Sequence, residues 1–305
     1  MRCGFIGLGH IGKFLAGSLV RNGFEVTVYD LNADAVAPLV AKGAKLAGSI
    51  KELCDASDTV FTCLPSPRAI DAVVAGAGGV IESLAGRATR GTWIDMSTND
   101  QDETLRLGAM CEAQGINVLE SPVTGGVHKA AHGDITVLVG GEQDVYKAHE
   151  KALNAMGQPV LYIGKLGSAA VIKVITNMLA FIHLVAAGEA LMLAKRGGLD
   201  LGVAFEAIKQ SSGNSFVHET ESQVILNGSY NINFTMDLAL KDMGFALGYG
   251  KEFGVPLALA TLTNEQFVKA KAAYGGEAWS SQVVKLLEDA TGSDLRAPGF
   301  PAELE

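Results

Sequence analysis

The chain has 305 residues, of which 48% are hydrophobic and 19% are charged, and this length suits two globular domains better than one. Its net charge is −9 and no basic run exceeds two residues, which argues against binding to nucleic acid or to an anionic membrane surface. The four cysteines form neither a CxxC pair nor a metal-like spacing, so we expect reduced thiols in a cytoplasmic protein without a metal site.

The first 30 residues have the pattern of a dinucleotide-binding unit. An apolar run from Arg2 to Ile6 is typical of a buried strand and leads directly into a glycine-rich turn. A helix from Lys13 to Asn22 and a strand from Glu25 to Tyr29, ending in Asp30, follow. This order and spacing predict that the turn binds a pyrophosphate at the start of the helix. The residues of the turn are Gly7, Leu8, Gly9, His10, Ile11 and Gly12.

The glycines and the acid have separate expected roles. Gly7 permits the tight turn, Gly9 lets the backbone approach the pyrophosphate, and Gly12 lets helix and strand pack closely. Asp30 would accept hydrogen bonds from the adenosine ribose and repel a 2′-phosphate, and the adjacent Leu31 is not a cation that could bind one. We therefore expect NAD rather than NADP at this site.

Further strands are predicted at residues 59–64, 92–95 and 117–119, and two more at 135–139 and 160–163 complete this part of the chain. Ligands bind outside the carboxyl ends of strands in open α/β sheets, so the residues after these strands are candidate contacts. An ordinary loop is the alternative interpretation at each position. The candidates are Leu64, Pro65 and Thr98 for the cofactor and Ser97 for the substrate.

The sequence Thr124-Gly125-Gly126 is a candidate substrate loop. Paired glycines after a threonine allow backbone N–H groups to converge on a small anion such as a carboxylate. An ordinary glycine turn is the alternative.

Residues 168–196 contain no proline and one glycine, which predicts a long helix capped by Ser168. Apolar residues occur on nearly every face, so we expect a buried core helix, and His183 and Glu189 argue against a membrane span. Lys173 and Asn177 are four residues apart and share one face. A lysine there extends its amine to solvent, pairs with a carboxylate, or works as an acid or base.

The second half of the chain has helical patterns without a clear strand. We therefore predict a mostly parallel α/β domain at 1–164, a long interdomain helix at 165–196 and an all-α domain at 197–305.

Five motifs occur in a fixed order that resembles the β-hydroxyacid dehydrogenase family. The resemblance implies an N-terminal Rossmann domain, a long helix and an all-helical domain, with the active site between the two domains. It also implies reversible NAD(P)-dependent oxidation of a 3-hydroxy acid and a homodimer or homotetramer. The motifs are GFIGLGHIG, IDMST, ESPVTGG, GKLGSAAVIKVITN and LALKDMGFAL.

The resemblance also implies roles for individual residues. Lys173 matches the catalytic acid/base of the family. We expect burial to lower the pKa of this lysine from its ordinary value of about 10.4. Asn177 matches its substrate-binding neighbour, and the Thr124–Gly126 loop matches the one that holds the substrate carboxylate. Thr98 and Lys241 match cofactor contacts.

Two segments depart from the family pattern. The family usually has Asp-Ala where this chain has Glu120-Ser121, and small residues, commonly Gly-Ala, where it has Lys129-Ala130. We hypothesise that His128, Lys129 or His132 contacts the substrate. Such a contact would be useful if the substrate carries a second anionic group. Solvent-facing side chains are the alternative.

Other members of the superfamily remain as alternatives. One is a reductase of tartronate or succinic semialdehyde, and another is a non-catalytic cofactor-binding relative. Two other classes fit the sequence less well. The 6-phosphogluconate dehydrogenases are longer and normally have histidine where this chain has Thr176, and imine reductases usually lack the lysine that this chain has at position 173.

Overall fold

The computed structural model describes residues 1–304, so Glu305, the last residue of the predicted all-α domain, lies outside the described residues. Nine strands form a single sheet in the first half of the chain. They are β1 (Arg2–Ile6), β2 (Glu25–Tyr29), β3 (Lys45–Leu46), β4 (Thr59–Thr62), β5 (Thr92–Asp95), β6 (Asn117–Glu120), β7 (Val123–Thr124), β8 (Thr136–Gly141) and β9 (Val160–Gly164).

The strand order is β3-β2-β1-β4-β5-β6-β8-β7, with β9 paired to β8. Neighbouring strands from β3 to β6 are parallel, whereas β8 is antiparallel to β6 and β7 and parallel to β9. The order reverses direction between β1 and β4, which places the carboxyl ends of these strands at a crevice. The predicted mostly parallel sheet is confirmed.

Helices connect the parallel strands in the first half and make up nearly all regular structure in the second. Those of the first half are α1 (Gly12–Arg21), α2 (Ala33–Val40), α3 (Ile50–Asp55), α4 (Pro67–Val74), α5 (Val80–Leu84), α6 (Gln101–Ala113), α7 (Val127–His132) and α8 (Gln143–Met156). Those that follow are α9 (Ser168–Arg196), α10 (Leu201–Lys209), α11 (Phe216–Asn227), α12 (Met236–Glu252), α13 (Ala258–Tyr274), a 3₁₀ helix (Ser280–Val284) and α14 (Lys285–Thr291).

The chain divides into two compact units, and the division falls inside α9, where the first unit ends at Lys173 and the second begins at Val174. In the first unit, apolar clusters cover both faces of the sheet. Phe5 belongs to one cluster and the adjacent Ile6 to the other, as expected where side chains alternate along a buried strand. This two-sided burial explains why the strands have continuous apolar runs in the sequence.

The second unit has one apolar core, which contains Phe181, Met243 and Phe267. Within the described residues of this unit, the only β pairing is an isolated bridge between Thr235 and Trp279. The helices of this unit therefore bury their apolar faces against one another rather than against a sheet.

The long helix α9 differs from the sequence prediction in two respects. Only 33% of its most apolar stretch is buried, and Leu179 and Leu193 are 44% and 76% exposed. A 29-residue helix needs neighbours on every side to be fully buried, and a single chain provides them along only part of its surface. Ser168, expected as the cap, is the first helical residue instead. By length and composition alone α9 could also cross a membrane, but the core helices of globular proteins meet the same test.

Candidate active site

The glycine-rich turn between β1 and α1 has three glycines with different surroundings. Gly7 has a φ of +93°, and a Cβ there would lie 2.4 Å from the carbonyl oxygen of Cys63. A Cβ on Gly12 would lie 2.0 Å from the carbonyl oxygen of Gly7, so helix and strand are in backbone contact. A Cβ on Gly9 would meet no atom within 4 Å. The space beside Gly9 is therefore open to a ligand.

The start of α1 can bind an anion. Ile11 precedes the helix and provides no side-chain cap, so the positive end of the α1 dipole lies at the turn without a capping side chain. Leu8 is only 1% exposed, so its side chain belongs to the core and only its backbone can serve the turn, whereas His10 is exposed.

Asp30 follows β2 and is tied to the turn. One carboxylate oxygen accepts a hydrogen bond from the N–H of Leu8 at 2.6 Å, and the other accepts one from the N–H of Asn32 at 2.7 Å. The adjacent Leu31 is 93% exposed. The carboxylate thus lies beside the glycine-rich turn, where a ribose next to a bound pyrophosphate would be placed.

Ser97 connects the ends of β4 and β5. Its hydroxyl accepts a hydrogen bond from the N–H of Leu64 at 2.9 Å and donates one to Asp95 at 2.6 Å. Ser97 is 5% exposed, so the structure places it inside the strand ends, and its substrate contact stays a prediction. Thr98 is half-buried and Pro65 is exposed at the same edge.

The predicted substrate loop is a tight turn between β7 and α7. Thr124 pairs with Thr136 of β8, which fixes the start of the turn to the sheet. Gly125 and Gly126 have φ values of +130° and +92°, which residues with side chains rarely adopt. Both glycines are therefore required by the backbone path itself.

Glu120, at the end of β6, binds the start of α9. Its two carboxylate oxygens accept hydrogen bonds from the N–H groups of Ala169 at 2.8 Å and Ala170 at 2.9 Å. Glu120 is 3% exposed, and burial raises its pKa to about 7 against the opposing effect of these hydrogen bonds. A Cβ on Gly140 would lie 2.2 Å from the carboxylate, so the missing side chain at Gly140 makes room for it. In the sequence, Glu120 stands out only as a departure from the family pattern.

Lys173 lies one turn further along α9 and is 7% exposed. Asn177, one turn beyond Lys173, donates a hydrogen bond from Nδ2 to Asp242 Oδ2 at 2.6 Å. The two side chains lie on the same helix face.

Asp242 also connects two predicted site residues of the second unit. Its other carboxylate oxygen is 3.2 Å from the Nζ atom of Lys241, and the Asp242 side chain is 1% exposed. The sequence prediction included Lys241 but not Asp242, so the bond from Asn177 to Asp242 was not predicted. The signal available was a charged residue among apolar helix positions, which does not reveal a partner 65 residues away.

The residues of the first unit fit an NAD(P) cofactor. The open space beside Gly9 and the uncapped start of α1 suit a pyrophosphate, and Asp30 is positioned for a ribose. Among residues 1–304, no group of three or more His, Cys, Asp and Glu side chains could hold a metal ion.

Comparison with known protein families supports this interpretation. A profile described as the NAD-binding domain of 6-phosphogluconate dehydrogenase matches residues 2–164. A second, described as NAD-binding of NADP-dependent 3-hydroxyisobutyrate dehydrogenase, matches residues 167–287. Together they span nearly the whole chain in the order that the motifs predicted.

Individual relatives agree with the profiles. The chain is 33% identical over 294 residues to 2-(hydroxymethyl)glutarate dehydrogenase of Eubacterium barkeri, with 96% of each chain covered. It is 31% identical to L-threonate dehydrogenase of Cupriavidus necator, covering 93% of this chain and 95% of that protein. The crystal structure of 3-hydroxyisobutyrate dehydrogenase from Salmonella typhimurium matches with a TM-score of 0.85 and 29% identity, covering 94% of this chain and 99% of that one. The predicted resemblance is confirmed: the chain belongs to the β-hydroxyacid dehydrogenase family and is an NAD(P)-dependent hydroxyacid dehydrogenase.

Proposed function

We propose that the protein reversibly oxidises the hydroxyl of a small 3-hydroxy acid to an aldehyde or ketone, with NAD as acceptor and Lys173 as acid/base. The observation that carries the proposal is the buried lysine on α9, one turn beyond N–H groups that are held by Glu120. A buried amine that lies beside a bound substrate is suited to proton transfer.

The names of the relatives support a proposal for the substrate class. 3-Hydroxyisobutyrate, 2-(hydroxymethyl)glutarate and threonate all carry a hydroxyl on the third carbon of a carboxylic acid. The shared chemistry is therefore a carboxylate that is bound in a fixed place and a hydroxyl that is presented two carbons away. The N–H groups of the turn at Gly125 and Gly126 are suited to the carboxylate.

Oxidation removes a hydride and a proton from the carbinol, and a bound nicotinamide supplies the hydride acceptor. The chain must therefore accept the proton. Neutral Lys173 takes it from the hydroxyl as the carbon–oxygen double bond forms, and in the reverse direction the ammonium returns it to the carbonyl oxygen. Asn177, held by Asp242, orients the substrate beside the amine.

Asp30 supports NAD as the cofactor. Its carboxylate would face a 2′-phosphate with a like charge, and the exposed neighbour Leu31 carries no charge to compensate. The description of one matching family names NADP, so the preference needs a direct test. We expect kcat/KM with NAD to exceed that with NADP by about 10-fold or more, the effect of roughly one unfavourable charge contact. Equal or higher efficiency with NADP would contradict this assignment.

The reaction itself is tested by the rate of absorbance change at 340 nm with NAD. The panel contains 3-hydroxyisobutyrate, 2-(hydroxymethyl)glutarate, L-threonate and 2-hydroxybutyrate, which lacks the 3-hydroxyl. Turnover of one or more of the first three acids, but not of 2-hydroxybutyrate, is the expected result. Turnover of 2-hydroxybutyrate alone would refute the assignment to 3-hydroxy acids.

A further inference from the structure

The turn at Gly125 and Gly126 is followed by a basic segment. Helix α7 carries His128, Lys129 and His132 within six residues, and the chain has no acidic residue from 121 to 133. The whole protein has a net charge of −9, so this segment differs in sign from the protein as a whole.

Lys129 lies against the turn. A Cβ on Gly125 would meet the Cδ atom of Lys129 at 3.1 Å and its Cβ atom at 3.7 Å, so the stem of the lysine runs along the first glycine. The ammonium nitrogen is only two bonds beyond Cδ. It is therefore positioned beside the same backbone that is proposed to bind the substrate carboxylate.

The two histidines are less suited to bind an anion. His132 is exposed, and its Nδ1 atom is 2.9 Å from the carbonyl oxygen of His128, so its ring is held by the helix backbone. Burial, followed by the positive charges of Lys129 and His132, lowers the pKa of His128. His128 is therefore less readily charged than an ordinary histidine, and Lys129 is the basic residue of this segment whose side chain packs against Gly125.

A substrate with one carboxylate does not require this cation. Backbone N–H groups of a glycine turn can satisfy a single carboxylate without a neighbouring cation, as in other backbone anion sites. A second carboxylate must approach an acidic protein, and this approach costs free energy unless a local cation compensates it.

We propose that Lys129 binds a second carboxylate of the substrate, so that the preferred substrates are 3-hydroxy dicarboxylic acids. This inference rests on the proposed function, because the Gly125–Gly126 turn is taken to hold the first carboxylate. The Lys129 stem against Gly125 places the second subsite next to the first, which suits a short dicarboxylate whose two charges are separated by a few carbons.

The test compares three substrates of graded charge. 2-(Hydroxymethyl)glutarate carries two negative charges. Its monoamide, formed at the carboxylate remote from the hydroxymethyl group, has nearly the same shape but one negative charge. 3-Hydroxyisobutyrate is smaller and also carries one negative charge. Steady-state kcat/KM is measured for each with the wild type, Lys129→Gln and Lys129→Arg. Lys147→Gln removes an exposed charge on α8 and serves as the matched control.

The dicarboxylate should be oxidised by the wild type with the highest kcat/KM. Lys129→Gln should lower kcat/KM for the dicarboxylate by about 10- to 100-fold, as expected for loss of a hydrogen bond between charged groups. The same change should alter the two monoanionic substrates by less than about 3-fold, and Lys129→Arg should restore much of the loss. Lys147→Gln should leave all three values unchanged.

Equal losses on the dicarboxylate and its monoamide would overturn the inference, since Lys129 would then act on the shared carboxylate or on the fold. A wild type that oxidises 3-hydroxyisobutyrate without preference for the dicarboxylate would overturn it as well, while leaving the proposed function intact. Failure of the wild type to oxidise any of the three would instead refute the proposed function and the inference together.

Discussion

The carboxylate of Glu120 accepts a hydrogen bond from the backbone N–H of Ala169 at 2.8 Å, although the two residues are 49 positions apart in the sequence. This contact fastens the first turn of α9 to the end of β6. Lys173 lies one turn further along the same helix, so the position of the proposed acid/base depends on a buried carboxyl group. In the proposed function, Glu120 is therefore a positioning residue.

The raised pKa of Glu120 should make the stability of the protein dependent on pH. With a pKa of about 7, the folded state keeps its proton at pH values where the unfolded chain has lost it. Its contribution to the free energy of unfolding is therefore fully present below the unfolded pKa of 4.5 and declines as the pH rises to about 7. The decline should be about 3 kcal/mol.

Glu120→Gln removes the titrating group, so the variant should lose this part of the pH dependence. The measurement is the Tm of wild type and variant at pH 5 and pH 8. Glu112→Gln, an exposed change on α6, should preserve the wild-type difference between the two pH values. An identical pH dependence of Tm in wild type and Glu120→Gln would show that Glu120 is not the source.

Two glycines of the glycine-rich turn, Gly9 and Gly12, should respond differently to the same added methyl group. Gly12→Ala should destabilise the fold by about 1–3 kcal/mol, because the methyl would overlap the carbonyl oxygen of Gly7. Gly9→Ala should fold with an unchanged Tm, because the space beside it is empty, yet raise the Kd for NAD by about 10-fold or more.

Calorimetric titration of NAD and thermal unfolding distinguish the two effects. Gly248→Ala, which adds a methyl group in open space on α12, controls for the general effect of a glycine change. An unaltered Kd in Gly9→Ala would mean that the pyrophosphate does not approach this glycine.

The bond from Asn177 to Asp242 should stabilise the second unit. Asn177→Ala leaves a carboxylate that is 1% exposed without this donor, which should lower the free energy of unfolding by about 1–3 kcal/mol. Asn154→Ala removes an exposed hydrogen bond to the helix backbone and should change it by less than about 0.5 kcal/mol. Denaturant titrations measure the free energy of unfolding of both variants. Equal decreases in the two variants would indicate that the buried hydrogen bond stabilises the protein no more than the exposed one.

The sequence predicted the first βαβ unit well because its signals are local. Gly7, Gly9, Gly12 and Asp30 lie within 30 residues, and the spacing itself carries the geometry. The turn at Gly125 and Gly126 was also predicted, although the two-residue strand and the six-residue helix beside it were not. Elements of that length are too short to show a hydrophobic period.

The contacts that hold the site together were not predictable, because they join distant residues. Neither the bond from Ala169 to Glu120 nor that from Asn177 to Asp242 leaves a trace in local propensity or periodicity. The burial of α9 was overestimated for a related reason. Composition shows which residues are apolar, but it does not show how many neighbours surround Leu179 or Leu193.

The role of Lys173 as acid/base is the central claim, and the most direct test is kcat of Lys173→Ala with NAD and the best 3-hydroxy acid of the panel. Loss of a general acid/base should lower kcat by about 10²- to 10⁴-fold. The Kd for NAD should stay close to the wild-type value, and Lys269→Ala, an exposed change on α13, should leave kcat unaltered. A Lys173→Ala variant that retains kcat within a few-fold of the wild type would contradict the claim.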